Sequence, residues 1–147
     1  MAEGVIAVSV AAADAMRGGR PTLRVRVGGT SASPVRAYVR PENVSFRVTT
    51  PSGGAITCAM EPFLGRALPD FFSRLSRRSA RLFALDGVAY CGRFEEPGIY
   101  EVTPVVTLTE TGAEWRLRAI TGRFVGTPAP LRIRSATYVE QPVTGRR

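Results

Sequence analysis

Apolar and polar residues alternate with a period of two along most of this chain. Successive side chains of an extended strand point to opposite faces, so the pattern specifies half-buried β-strands. In residues 22–28, Leu23, Val25 and Val27 share one face, and Arg24 and Arg26 take the other. In 43–50, Val44, Phe46 and Val48 oppose Ser45, Arg47 and Thr49. The clearest run is 99–109, where Tyr100, Val102, Val106 and Leu108 fall together. Pro104 interrupts it and suggests an edge strand or a bulge.

The same logic reads strands at 5–10, 35–40, 55–58, 115–120 and 130–138. Trp115, Leu117 and Ala119 would face the core opposite Arg116 and Arg118, and Leu131 and Ile133 opposite Arg132 and Arg134. Turns are expected at 28–34 and 51–54, where Gly, Ser and Pro collect, and a proline-containing loop at 61–70. Residues 70–85 admit two readings. A helix capped by Asp70 would align Phe71, Leu75 and Leu82. Two strands near 71–75 and 79–85 would instead flank a basic turn, and the β character of the rest favours them. These short strands make one domain over 1–140, with a disordered tail expected at 141–147. That is an all-β chain, a sandwich or a barrel.

Residues 94–102, running Phe-Glu-Glu-Pro-Gly-Ile-Tyr-Glu-Val, resemble the start of strand F in immunoglobulin-like and fibronectin-type-III-like domains. There a Tyr after a glycine turn ties the corner to nearby backbone, and Tyr100 is the matching residue. From about residue 20 to 135, the order of strands and turns also resembles bacterial immunoglobulin-like domains. It is similar, too, to the small sandwich that precedes the catalytic domain of deuterolysin-type metallopeptidases. The zinc-binding helix of those peptidases is missing from this sequence. The resemblance therefore implies an immunoglobulin-like antiparallel β-sandwich without peptidase activity.

All 20 basic residues are Arg, His is absent, and the net charge is +8. Without His, the chain cannot supply a Ser–His–Asp triad, a Cys–His dyad or a His-ligated zinc site. No cofactor or metal is expected. The acidic residues Asp86, Glu95, Glu96, Glu101, Glu110 and Glu114 match no calcium-binding spacing and read as turn and solvent-face residues. The arginine bias has two readings, GC-rich coding or a surface built for carboxylates and phosphates. Either way the charge favours acidic partners. The candidate binding face comprises the strand pairs Arg24 and Arg26, Arg116 and Arg118, and Arg132 and Arg134, together with Arg74, Arg77, Arg78 and Arg81 in one turn. Phosphate contacts by such a face would suit nucleic acid. Single-strand binders also stack bases on exposed aromatics, whereas Phe46, Tyr100 and Trp115 read as core.

Cys58 and Cys91 form a disulfide or remain two buried thiols; both readings stand. A bridge would indicate an extracellular or periplasmic protein, and free thiols a cytoplasmic one. The N-terminus lacks a basic region, with Glu3 in its place, so it does not read as a signal peptide. No apolar run reaches the roughly 18 residues of a membrane span. The expectation is a non-catalytic module that binds protein or assembles with itself. Binding to carbohydrate or another surface is the alternative, and polyanion or nucleic-acid binding through the arginine face a second.

Overall fold

The computed structural model describes residues 5–135, and its architecture is mostly β. The strands are β1 (Ile6–Ala12), β2 (Ala15–Met16), β3 (Thr22–Gly29), β4 (Val35–Tyr38), β5 (Val44–Thr49) and β6 (Ala55–Ala59). They continue with β7 (Phe72–Leu75), β8 (Arg81–Asp86), β9 (Gly98–Leu108), β10 (Gly122–Val125) and β11 (Ala129–Arg134). One short helix, α1 (Gly87–Cys91), joins β8 to β9. The first sheet runs β1-β3-β8. The second runs β2-β11-β9-β5-β6, with β10 also paired to β9. A separate ribbon joins β4 to β7. Every pairing is antiparallel except that of β2 with β11.

Alternation decides which face of each strand is buried. Leu23, Val25 and Val27 of β3 join Ile6, Val8, Phe83 and Leu85 from the flanking strands. The second sheet contributes Val44, Phe46 and Val48 from β5, Tyr100, Val102, Val106 and Leu108 from β9, and Leu131 and Ile133 from β11. All belong to one hydrophobic cluster. A fully buried side chain such as Leu131 contributes about 1.5–3 kcal/mol by leaving water.

Pro104 lies in the interior of a sheet, not at an edge. β5 flanks β9 along residues 101–106. On the other side β10 covers 105–108 and β11 covers 98–102. Pro104 therefore faces the break between those two strands. A residue's N–H and C=O point the same way across an antiparallel ladder. Because the Pro104 carbonyl accepts from Gly126 N at 2.9 Å, its missing N–H also faces the break, where no ladder bond is required. Gly126 must be glycine for a steric reason: a Cβ there would sit 2.3 Å from the Val8 carbonyl oxygen. This close approach covers part of β1 with the β10–β11 link.

Several sequence expectations are corrected. Residues 115–120 form no strand. A 3-10 turn spans Ala113–Trp115, and Arg116 follows in the left-handed region with φ 57°. Leu117 N then returns to Gly112 O at 2.9 Å, so the segment winds instead of extending. β10 was not anticipated, because within it only Phe124 is buried and the pattern is too short to read. Nor was α1, whose start is capped by Asp86 accepting from Val88 N at 3.0 Å. The Arg20 guanidinium holds the Asp86 carboxyl below its ordinary pKa, against partial desolvation. In 70–85 the strand reading is the observed one, but β7 and β8 do not form a hairpin. They pair with β4 and β3 respectively. The last strand ends at Arg134, and residues 136–138 and the expected tail lie outside the described residues.

Two tyrosines and a disulfide fasten the region between β8 and β9. Tyr100 is buried, and its hydroxyl donates to Glu96 O at 2.8 Å and accepts from Glu96 N at 3.2 Å. Tyr90 packs edge-on against Phe46, with ring centroids 5.3 Å apart, and donates to Pro41 O at 2.6 Å. Cys58 and Cys91 are bonded, with Cα atoms 4.6 Å apart, which ties α1 to β6. Closing a loop across this sequence separation of 33 is worth roughly 3–4 kcal/mol in the loop-entropy treatment.

Tyr100→Phe should cost about 1–2 kcal/mol, because both Glu96 backbone groups lose their partner. The denaturation midpoint should fall with an unchanged m-value; an unmoved midpoint would disprove the corner's structural role. Burial, reinforced by the Glu42 charge, pushes the Tyr90 pKa from 10.0 up to about 12. The unfolded chain therefore loses this proton first. The stabilisation is complete below pH 10 and drains away as pH climbs toward about 12. Stability measured across that window should fall less steeply in Tyr90→Phe than in the native chain.

Candidate functional site

The arginines singled out from sequence occupy several places, not one face. Outward alternation sends them out from two different sheets. On β3, Arg24 stands between Ala11 and Ala84, and Arg26 between Ser9 and Leu82. Ser9, Ala11 and Ala84 are small, and with Leu82 they border an open cleft of about 410 Å³. Arg26 also donates to Arg77 O at 3.2 Å, which fixes it to the 76–79 turn. Arg132 and Arg134 leave the other sheet from β11, where Arg134 pairs with Asp14 at 2.9 Å. Arg77 and Arg78 are exposed in their turn. Arg81 is half-buried and works as a clamp: it donates to Val39 O at 3.2 Å and Ser73 Oγ at 3.3 Å, and lies 4.9 Å from the Phe83 ring centre. Arg116 is exposed beyond the 3-10 turn.

Arg74 and Arg118 do come together, and they are joined by Arg36, which the sequence reading passed over. Arg36 lies directly opposite Arg74 across the β4–β7 ribbon. Ile120 N donates to Arg36 O at 2.8 Å and brings the irregular segment carrying Arg118 alongside. The three arginines line a cleft of about 330 Å³ with Pro34, Val35 and Ile120. Only the paired register exposes this convergence.

A second concentration lies in the connector between β6 and β7. Met60, Phe63, Leu64, Leu68 and Phe71 are all exposed there, Leu64 to 92%. The connector is nonetheless anchored. The Arg40 guanidinium lies 3.8 Å from the Phe63 ring centre and 5.4 Å from that of Phe71. Arg40 also pairs with Glu42 at 3.3 Å. Arg66 lies 4.9 Å from the Trp115 ring centre and pairs with Glu114. Trp115 Nε1 donates to Ala67 O at 2.8 Å. Trp115 thus holds a loop in place and is not strand core. The sequence signal was available: apolar residues crowd 60–71 without any alternation that could bury them.

The connector adjoins β6, which forms one end of its sheet and whose outer edge no strand pairs among the described residues. Apart from Cys58, its side chains are exposed, and none is charged. Among the described residues, no three His, Cys, Asp or Glu side chains gather where they could hold a metal ion. Both cysteines are consumed by the disulfide. No helix among the described residues is long and apolar enough to cross a membrane. No protein family, curated protein sequence or solved structure matches this chain.

Trp115→Phe keeps a ring under Arg66 but removes the bond to Ala67. It should cost about 1 kcal/mol and speed proteolytic cutting within 60–71. Unchanged cutting would mean that the indole does not hold the connector.

Proposed function

We propose that this chain is a non-catalytic immunoglobulin-like module that binds an acidic protein through the connector at residues 60–71. The observation that carries this reading is the group of five large apolar side chains exposed on one anchored segment. Apolar patches of this kind mark interaction surfaces, and irregular connectors of this length are commonly functional. The +8 net charge of the chain disfavours a second copy and favours an acidic partner. The uncharged edge of β6 beside the patch offers backbone pairing to the same partner.

The immunoglobulin-like assignment is supported by strand order. Taking β1, β3 and β8 as strands A, B and E leaves β5, β6 and β9 as C, C′ and F, with β10 and β11 sharing the role of G. The Tyr100–Glu96 bond then falls at the start of F, where such domains carry their tyrosine corner. Two departures accompany it. The disulfide joins C′ to the E–F helix and not B to F, and the β4–β7 ribbon stands where strand D would pair with E. The bonded cysteines support an oxidising compartment, extracellular or periplasmic. The carbohydrate alternative gains little, because Phe63 and Phe71 each turn toward Arg40.

A photo-crosslinking side chain at Leu64 should capture a discrete acidic partner in the source organism, and one at exposed Arg93 should not. With that partner purified, Phe63→Ser combined with Leu64→Ser should weaken binding tenfold or more, as loss of about 2 kcal/mol at an interface centre would. Equal capture from both positions, or a homodimer alone, would refute the assignment.

A further inference from the structure

The cleft between β4, β7 and the 116–120 segment is unusual in its charge. Three arginines, Arg36, Arg74 and Arg118, line it, and no carboxylate does. Among the described residues, none of these three side chains has an ion-pair or hydrogen-bond partner. The acidic side chains that do form ion pairs, Asp14, Asp86, Glu42 and Glu114, serve other arginines. Arg36 and Arg74 also face each other directly across the ribbon. Like charges in that position destabilise a sheet. Arg36 is half-buried, which raises the cost of leaving its charge uncompensated.

We infer that this cleft is a binding site for a small organic oxyanion, a phosphate or carboxylate compound with an apolar part. The guanidinium fork pairs with either group through two parallel hydrogen bonds, and three forks suit the tetrahedral spread of a phosphate. Pro34 and the exposed part of Ile120 supply an apolar border against which the rest of the ligand packs. The volume of about 330 Å³ lies at the lower end of the range for small-molecule sites. An anion here neutralises the Arg36–Arg74 repulsion, so binding also stabilises the fold. The site is separate from the 60–71 connector, and it stands whether or not that connector binds protein.

The test is calorimetric titration of the full chain with phenyl phosphate, benzoate and inorganic phosphate, alongside thermal denaturation. Phenyl phosphate or benzoate should bind saturably at one site and raise the melting temperature, and the tighter of the two identifies the ligand's anionic group. Inorganic phosphate should bind more weakly than phenyl phosphate, since it cannot use the apolar border. Arg74→Gln and Arg118→Gln should each weaken binding about tenfold, the size of one lost charge-assisted hydrogen bond. Arg47→Gln removes the same charge from an exposed site on β5 and should leave affinity unchanged. Arg118 lies outside the strands, so its variant keeps the test valid if Arg74→Gln fails to fold. Absence of saturable binding, or equal weakening in Arg47→Gln, would overturn the site.

Discussion

The inward face of β9 is the constraint on which this structure rests. Tyr100, Val102, Pro104, Val106 and Leu108 are all buried along it. The same strand carries β5 on one side and both β10 and β11 on the other. A slip of one residue would turn this whole set toward solvent and bring Glu101, Thr103 and Thr107 into the core. Register in the larger sheet is therefore fixed by hydrophobic burial along a single strand. Pro104 is compatible with that position because the flanking sheet is interrupted at that point.

With the sheets so fixed, several contacts converge on the β8–β9 crossing. Asp86 starts α1, Tyr90 reaches Pro41, Cys91 bonds to Cys58, and Tyr100 closes the corner through Glu96. These contacts tie α1 to β6 through the disulfide, to β5 through Phe46 and to the turn before β5 at Pro41. The dense fastening stops at β6. Beyond it the chain lacks an apolar face to dock and is held by cation–π stacking and one indole hydrogen bond. An anchored but exposed apolar segment results, and it is the observation on which the proposed partner binding rests.

The arginines follow from the same geometry. On a strand the outward positions are the ones open to charge, so arginine pairs decorate both sheets and cannot make one continuous basic face. Where carboxylates are within reach, the arginines are neutralised, as Arg20 is by Asp86 and Arg134 by Asp14. The cleft at Arg36, Arg74 and Arg118 differs because three separate elements deliver like charge to one place.

The sequence by itself determined the β class, most strand positions, the inward residues of β3, β5 and β9, and the tyrosine that closes the corner. These are local properties: side-chain direction alternates within a strand, and Tyr100 reaches backbone four residues away. It misjudged 115–120, where alternation was present but left-handed backbone at Gly112 and Arg116 winds the chain into a turn. Which strands pair, which cysteine reading holds, and which arginines meet were decided by tertiary structure. Arg36 and Arg74 are far apart in sequence and become opposite residues only when β4 pairs with β7. Arg118 joins them only because Ile120 hydrogen-bonds to Arg36. No periodic pattern encodes such a convergence, since it depends on long-range pairing that local side-chain direction does not specify.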